Sequence, residues 1–298
     1  MNYRRLGNSD LFISEIGFGC MSLGTEDAIN NKLIHQAIEG GINFFDTADL
    51  YQKGYNETTL GRALGEKRKQ VIIATKVGNQ WKEDGSGWDW NPRKEYILSA
   101  VEKSLQRLQA DYVDLYQLHG GTIDDPIDEI IEAFEQLKGQ GKIRYYGISS
   151  IRPNVIREYI KRSNIVSVMM QYSLLDRRPE ESCLDLLYKN NISVLARGTL
   201  AKGLLINKRA EKYLSHSAMQ VKEATHAIAK IAGNEFSKTT AALGYVLNYP
   251  AIASAVTGIR TIEQLNDVVK ASVHLPLPKK MIELIGESVA VNFYDEHR

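Results

Sequence analysis

The chain has 298 residues, of which 43% are hydrophobic, and its formal net charge at pH 7 is +1. The length suits one α/β barrel or two smaller domains, and the hydrophobic content is sufficient for a large core. A near-neutral charge predicts neither nucleic-acid binding nor attachment to an anionic membrane surface.

The first element predicted from the N-terminus is a β-hairpin. Residues 3–6 and 11–13 are short extended segments that flank the turn Gly7-Asn8-Ser9-Asp10. Residues 16–19 form the first strand of the main fold. The GFGCMSLG that spans its end resembles a dinucleotide fingerprint, but Ser22 stands where the third glycine belongs. We therefore interpret this segment as a tight loop and not as a Rossmann turn.

Strands and helices then alternate to the C-terminus. Short apolar runs predict strands at 42–45, 71–76, 113–118, 143–148, 166–170, 192–196 and 252–256. Apolar residues at helical spacing, with capping and stop signals, predict helices at 27–39, 56–64, 92–108, 126–137, 153–160, 179–188, 218–231, 237–247, 261–269 and 279–288. Regular alternation implies parallel strands, and eight units predict a closed (β/α)8 TIM barrel, with an open doubly wound sheet as the alternative. No linker interrupts the series, so we expect a single domain over residues 1–298.

All three tryptophans lie in one long predicted loop, residues 77–91. They are Trp81, Trp88 and Trp90. Large aromatic side chains in such a loop either fix it to the barrel rim or form one wall of a substrate pocket. The sequence does not separate these two roles, and both can hold.

Cysteine, histidine and apolar patterns limit the possible location and chemistry. Cys20 and Cys183 are far apart, and the six histidines lack metal-ligand spacing, so we expect neither a disulfide framework nor a metal site. The N-terminus has no apolar signal core, and no apolar run approaches the roughly 18 residues of a membrane span. These patterns predict a cytoplasmic protein that does not enter the membrane.

Four proton-handling side chains fall at the ends of consecutive predicted strands. NFFDTADLY places Asp46 at the end of the second strand and Tyr51 in the loop that follows. VIIATK and VDLYQLH end the third and fourth strands in Lys76 and His119. The carboxyl ends of parallel barrel strands meet on one face, where active sites are built. We therefore expect these four groups to lie together.

The four side chains together suit protonation of an oxygen. A tyrosine is a weak acid near pH 7, and a neighbouring ammonium favours its phenolate form. Asp46 would hold Lys76 charged, and His119 would hydrogen-bond a substrate oxygen or relay a proton. Each residue alone has a simpler explanation, such as a strand-end ion pair or a core histidine, but the combination is less easily explained that way. Because the set contains no electron source, reduction would need a cofactor.

The chain resembles an aldo-keto reductase along nearly its whole length. The resemblance lies in YRRLGNSDLFISEIGFGCMSLG, INFFDTADLYQKGYNETTLGRAL, VIIATK, YVDLYQLH, GKIRYYGIS, VMMQYSLL, GTLAKGLL and TGIRTIEQL. It implies a (β/α)8 barrel that binds NADPH without a Rossmann fold. It also implies a catalytic tetrad of Asp46, Tyr51, Lys76 and His119, with Tyr51 as the general acid.

The same resemblance implies the cofactor contacts. Ser149 and Gln171 would hydrogen-bond the nicotinamide amide, and the backbone of Gly198, Thr199, Leu200 and Gly203 would face the pyrophosphate. Gly258, Arg260, Thr261 and Gln264 would hold the adenosine phosphate end, where a helix N-terminus favours phosphate. Three positions depart from the usual pattern: Ser150 and Val268 replace common asparagines, and Arg197 replaces the aromatic residue that commonly stacks on the nicotinamide.

The function we expect is NADPH-dependent reduction of a small-molecule aldehyde or ketone. A lyase that forms a Schiff base on Lys76 is one alternative, because lysines at barrel strand ends form imines in other enzymes. A non-catalytic, redox-sensing subunit that binds NADPH is another. The tryptophans favour aromatic or bulky carbonyl substrates. The sequence indicates neither the physiological substrate nor the oligomeric state.

Overall fold

The computed structural model describes residues 1–298, and its twelve short strands fall into three sheets. The strands are β1 (Tyr3–Arg5), β2 (Phe12–Ser14), β3 (Ile16–Gly19), β4 (Phe44–Asp46), β5 (Ile72–Val77), β6 (Asn79–Trp81), β7 (Trp88–Trp90), β8 (Val113–Leu118), β9 (Ile143–Ser149), β10 (Ser167–Gln171), β11 (Ser193–Arg197) and β12 (Ile252–Gly258). The helices are α1 (Asp27–Glu39), α2 (Tyr55–Leu64), α3 (Lys94–Leu108), α4 (Ile127–Gly139), α5 (Pro153–Arg162), α6 (Cys183–Lys189), α7 (Ala218–Ala232), α8 (Lys238–Leu247), α9 (Ile262–Val273) and α10 (Lys279–Glu287).

Eight strands form a closed parallel barrel in the order β10-β11-β12-β3-β4-β5-β8-β9. The barrel closes because β3 pairs on one side with β4 and on the other with β12, so that Phe18 faces both Phe45 and Thr257. The barrel strands are almost continuously buried, as expected of a parallel sheet covered by side chains inside and helices outside. The predicted (β/α)8 barrel is confirmed, and the open sheet is excluded.

The N-terminal hairpin covers the amino end of the barrel. β1 and β2 pair antiparallel, and Ile13 of β2 packs with the flanking Leu6 and Leu11 into the cluster that fills the barrel interior. Gly7, at φ +52°, lies against the carbonyl oxygen of Val166, where any side chain would collide with backbone. The predicted hairpin is therefore confirmed, and it leaves the carboxyl end of the barrel as the open face.

Three local predictions differ from the structure. The predicted loop 77–91 contains the hairpin β6–β7, in which Trp81 pairs with Trp88. The helix predicted from Pro92 begins at Lys94, because the Asn91 side chain accepts the backbone N–H of Arg93 at 3.2 Å and holds that turn outside the helix. The helix predicted at 179–188 is broken at Ser182 into a 3-10 turn, Arg178–Glu181, and α6. No helix of the chain is both long and apolar enough to cross a membrane.

Candidate active site

Neighbouring strands bring the four predicted proton-handling residues to the open face of the barrel. Asp46 ends β4, opposite Ala74 of β5, and Lys76 lies two residues further along β5, opposite Gln117 of β8. His119 follows β8 directly, and its backbone N–H still donates to the carbonyl of Val77 at 2.7 Å. The structure therefore brings these strand ends together as the sequence predicts.

Lys76 and Asp46 form a buried ion pair at the centre of this face. Lys76 Nζ lies 2.8 Å from each carboxylate oxygen of Asp46 and donates to the carbonyl of Thr47 at 2.7 Å. Burial lowers the pKa of Lys76, but the charges of Asp46 and Tyr51 outweigh that effect, so the net shift is upward. Burial raises the pKa of Asp46 against the opposing charge of Lys76. The lysine accordingly keeps its proton.

The phenol of Tyr51 lies next to this ammonium. Lys76 Nζ donates to the phenolic oxygen at 3.4 Å and sits 5.0 Å from the centre of the ring. The ring of His119 approaches Tyr51 edge-on, with 5.8 Å between the ring centres. The ammonium of Lys76 and the imidazole of His119 therefore flank the phenol of Tyr51.

His119 is held in its neutral form. Burial, followed by the charges of Lys76 and Arg197, lowers the pKa of His119 to about 3. Its Nδ1 is buried without a hydrogen-bond partner, while the residue as a whole lines the cleft at this face. A neutral imidazole has one donor and one acceptor nitrogen, which lets it hydrogen-bond an oxygen without carrying a charge.

The loop that carries Tyr51 has an unusual backbone that is fixed from several sides. Gln52, Lys53 and Gly54 all have positive φ, between 50° and 87°. The Gln52 amide donates to the carbonyl of Leu23 at 3.2 Å, and the ammonium of Lys53 lies 5.1 Å from the centre of the Trp81 ring. Non-glycine residues in this region are strained, so they persist only where surrounding contacts hold them.

A second ion pair, between Glu57 and Arg107, packs against this loop. Glu57, fully buried on α2, pairs with Arg107 of α3 at 2.7 Å and accepts a hydrogen bond from the Thr75 hydroxyl, one residue before Lys76. Gly54 lies against the Arg107 guanidinium. A Cβ atom at this position would lie only 2.7 Å from Arg107 Nε, so the position excludes a side chain. The pair thus links the loop after Tyr51 to the strand that carries Lys76.

Asp49 lies close to the Glu57–Arg107 pair and to Lys76. Its backbone N–H donates to the carbonyl of Lys76 at 3.3 Å, and its carboxylate accepts from the Tyr96 hydroxyl at 3.4 Å. Burial and then the charge of Glu57 raise the pKa of Asp49 to about 8, although Arg107 opposes the shift. A carboxyl group that is protonated near pH 7 therefore stands two residues before Tyr51.

A cleft of about 990 Å³ runs from these four residues across the barrel mouth to the start of α9. Its lining includes all four residues, and with them Ser149, Gln171, Arg197, Gly198, Thr199, Leu200, Gly203, Gly258, Arg260 and Gln264. Thr261 does not line the cleft; its hydroxyl caps α9 by accepting the N–H of Gln264 at 3.3 Å. Most residues assigned by resemblance to cofactor contact thus share one continuous cleft.

The three tryptophans lie outside the lining of this cleft. Trp81 Nε1 donates to the carbonyl of Leu50 at 3.2 Å, beside Tyr51. Trp90 Nε1 donates to Asp125 at 3.0 Å, and its ring covers Gly78, while Trp88 is 49% exposed. These contacts fit the anchoring role that the sequence left open. A contribution of the tryptophans to substrate binding stays a prediction.

The middle of the cleft is organised around the amide of Gln171. Its Nε2 donates to Asp176 at 2.8 Å, and its Oε1 accepts from Arg197 at 3.0 Å. Arg178 in turn holds the fully buried Asp176 with two hydrogen bonds, at 2.7 and 2.8 Å. Asp176 and Arg197 therefore hold the two ends of the Gln171 amide.

The charge of the cleft fits an elongated anionic ligand such as a nicotinamide dinucleotide. Among the lining residues, Arg152, Arg197, Lys202 and Arg260 have no carboxylate within 4.0 Å. The hydroxyl of Thr199, a residue of the same lining, is buried without a hydrogen-bond partner. Phosphate groups bind where unpaired cations and helix N-termini converge.

Sequence reasoning did not identify several residues of the lining. Among them are Met21, Ser22, Arg152, Ile206, Tyr213 and Asp267. Ser22 was visible as the departure from the glycine fingerprint, where its hydroxyl fills the space beside Gly258. Arg152 carried no signal, because a single arginine before a proline-started helix has no distinguishing pattern.

Comparisons with known proteins agree with this geometry. The sequence profile of the Aldo/keto reductase family matches residues 15–290. An uncharacterised oxidoreductase of Bacillus subtilis (strain 168) is 52% identical over 307 residues, covering 100% of both chains. An NADH-specific methylglyoxal reductase of Escherichia coli (strain K12) is 34% identical over 233 residues, 72% of each.

A solved structure of an aldo-keto reductase has the same fold as this chain. The holo form of an aldo-keto reductase from Bacillus halodurans superposes with a TM-score of 0.96 at 48% identity, over 100% of this chain and 99% of the other. Profile, sequence and structure therefore agree over nearly the whole length. The chain belongs to the aldo/keto reductase family, whose members are oxidoreductases that act on small carbonyl compounds with a nicotinamide cofactor.

Proposed function

We propose that this protein reduces aldehydes or ketones to alcohols with NADPH, and that Tyr51 is the general acid. The observation that carries the proposal is the phenol of Tyr51 3.4 Å from a buried ammonium, Lys76, which is itself held by Asp46 at 2.8 Å. This arrangement lies at one end of a cleft large enough for a dinucleotide and a small substrate. The phenol can give its proton to a carbonyl oxygen at that end of the cleft.

Each side chain then has a defined part. When bound, the cofactor supplies the hydride that reduces the carbonyl carbon. Tyr51 gives its phenolic proton to the carbonyl oxygen, and Lys76 stabilises the phenolate that remains. His119, being neutral, donates a hydrogen bond to the same oxygen and orients the substrate. Asp46 keeps Lys76 charged and in place.

We assign cofactor binding to the rest of the cleft. Ser149 and Gln171 bind the nicotinamide amide, the segment Gly198, Thr199, Leu200 and Gly203 binds the pyrophosphate, and Gly258, Arg260, Thr261 and Gln264 hold the adenosine end. The N–H of Arg260 already donates to the Gln264 side chain at 2.8 Å, which supports a preformed turn at the start of α9. Arg197 acts by donating a hydrogen bond to the oxygen of Gln171. The Gln171 amide is then oriented by two partners, Arg197 and Asp176.

The choice of NADPH over NADH depends on Arg260. Its side chain is exposed at the helix start, without an ion-pair partner, where it can bind a 2′-phosphate through two parallel hydrogen bonds. One relative is specific for NADH, so membership of the family does not decide the cofactor. The unpaired guanidinium supports NADPH.

The lysine lyase alternative is disfavoured by the surroundings of Lys76. A Schiff base requires an uncharged amine as nucleophile. Lys76 Nζ instead faces Asp46, the Thr47 carbonyl and Tyr51, and its pKa is raised above the usual lysine value. No specific observation favours a non-catalytic, redox-sensing subunit.

The test of the proposed mechanism is Tyr51→Phe, which keeps the ring and removes the proton. We expect carbonyl reduction, followed by NADPH absorbance with a panel of aldehydes and ketones, to fall by about 10²-fold or more. NADPH binding, followed by fluorescence titration, should not change. Tyr55→Phe is a matched control, because that hydroxyl contacts Asp27 at 3.2 Å, away from Lys76. Near-normal turnover in Tyr51→Phe would show that another group supplies the proton.

A further inference from the structure

The cleft holds more positive charge than the proposed cofactor contacts use. Lys202 and Arg260 lie in the segments assigned to the pyrophosphate and the adenosine phosphate. Arg152 and Arg197 lie towards the other end, near the four proton-handling residues, and neither has a carboxylate within 4.0 Å. Of the lining carboxylates, Asp46 is paired with Lys76, and Asp267 accepts from the Thr239 hydroxyl at the α9 end. No acid in the lining neutralises the two arginines.

Arg152 is positioned between the predicted substrate and nicotinamide regions. It follows β9, and β9 is the neighbour of β8, whose end carries His119. Its Nη1 donates to the carbonyl of Gly121 at 2.6 Å, two residues beyond His119. Two strands, β10 and β11, separate β9 from β12, which leads to the proposed adenosine end. Arg152 therefore lies on the His119 side of the cleft, separated by two strands from the one that leads to Arg260.

The guanidinium of Arg152 is held by one hydrogen bond and has further N–H donors without an acceptor. Its Nε is buried without an acceptor, and the only hydrogen bond of its side chain is to Gly121. Asp125, which lies against Gly121, uses its two oxygens for the Trp90 indole at 3.0 Å and the Thr122 N–H at 2.6 Å. A fixed guanidinium with free donors is the side chain best suited to a carboxylate.

Arg197 adds to the same positive potential. It ends β11, is exposed in the cleft, and uses one donor for Gln171. Its positive charge acts to lower the pKa of both Asp46 and His119, so its potential extends to the end of the cleft that holds these groups. Like Arg152, it has donors to spare.

We infer that the substrates of this protein carry a carboxylate in addition to the carbonyl group, and that Arg152 binds this carboxylate. The inference rests on the proposed carbonyl reduction, because it deepens the description of the same site. Arg197 contributes by raising the positive potential around the bound anion. Arg152 is thus a specificity-determining residue, and its charge is used in binding the substrate, not in the proton transfer.

Two aldehydes that differ in charge alone test this inference. We expect the wild-type protein to reduce 4-carboxybenzaldehyde with a kcat/KM well above that of its uncharged methyl ester. Arg152→Gln should lower kcat/KM for the carboxylate by about tenfold to a hundredfold, mainly through KM, as expected for loss of a hydrogen bond to a charged group. The ester should be reduced at an unchanged rate. Arg157→Gln is the matched control, since Arg157 lies on α5, the helix that begins just after Arg152, and outside the cleft lining.

The outcomes separate this inference from the proposed function. Equal kcat/KM for the two aldehydes, or an equal effect of Arg152→Gln on both, would overturn the inference and leave carbonyl reduction intact. Titration calorimetry with 4-(hydroxymethyl)benzoate, the alcohol product, gives a readout without turnover. Binding that is lost in Arg152→Gln and kept in Arg157→Gln would support the carboxylate site even if neither aldehyde were reduced, a result that would reject the reductase function instead. Equal binding to both variants would overturn the carboxylate site.

Discussion

The two ends of the cleft are built on opposite principles. At the reacting end, Lys76 and Asp46 are 1% and 5% exposed, and each holds the other in place inside the barrel. At the other end, where we propose that the adenosine binds, Arg260 and Gln264 are exposed and are held by one helix cap and one hydrogen bond to the backbone. Core packing and ion pairing fix the first geometry, whereas the second depends on two exposed side chains.

This difference predicts that the two ends respond differently to substitution. Removing one partner of a buried ion pair leaves an uncompensated charge in the interior, so changes at the reacting end affect stability as well as activity. An exposed cation contributes little to folding, so a change at the adenosine end affects ligand binding alone. The next three predictions test that contrast.

The largest effect is expected from Lys76→Met. It removes the ammonium beside Tyr51 and leaves the Asp46 carboxylate buried without a partner, so the free energy of unfolding should fall by about 3–5 kcal/mol, and carbonyl reduction should be strongly impaired. Urea denaturation and NADPH oxidation measure the two effects. Adding Asp46→Asn should restore much of the stability but not the activity. Unchanged stability in Lys76→Met would show that the ion pair is not what holds this end together.

Asp49 should make the stability of the reacting end depend on pH. Its pKa is raised to about 8 by burial and by Glu57, against the opposing charge of Arg107 and with Tyr96 as hydrogen-bond partner. Between about pH 4 and 8, the folded protein holds a proton that the unfolded chain releases, so wild-type stability falls as pH rises. The free energy of unfolding of Asp49→Asn, relative to that of the wild type, should therefore increase by up to about 1.4 kcal/mol per pH unit in this window. Denaturation curves at pH 5 to 8 measure the gain. Parallel pH profiles for the two proteins would contradict the prediction.

The smallest effect is expected from Arg260→Ala. NADPH binding should weaken by about 1.5–3 kcal/mol, the range for a hydrogen bond to a charged group, while NADH binding and the unfolding free energy should not change. Fluorescence titration with both cofactors measures this difference. Arg209→Ala, at another exposed loop position outside the cleft lining, is the control. Equal losses for the two cofactors would show that Arg260 does not recognise the 2′-phosphate.

The same contrast explains what could be predicted from the sequence. Asp46, Lys76 and His119 were predicted to meet because each follows an apolar run, and parallel strands all end on one face of a barrel. The hairpin β6–β7 was missed because three-residue strands are too short to show a period. The Glu57–Arg107 pair joins two helices, and Arg152 acquires its position from Gly121; neither neighbour is visible in a local pattern. What depends on strand order was therefore predictable, and what depends on side-chain contacts between distant segments was not.

The way the barrel closes has a consequence for the order of events during synthesis. Strand β3, near the beginning of the chain, completes its pairing only with β12, and the hydroxyl of Thr257 hydrogen-bonds the carbonyl of Gly17 across 240 residues. A nascent chain emerges N-terminus first, so β3 has one unpaired edge until almost all of the protein has been made. Unpaired edges invite association with other chains, and contacts of such long range form slowly. The sheet therefore keeps two open edges, at β3 and at the most recently made strand, until β12 has been synthesised.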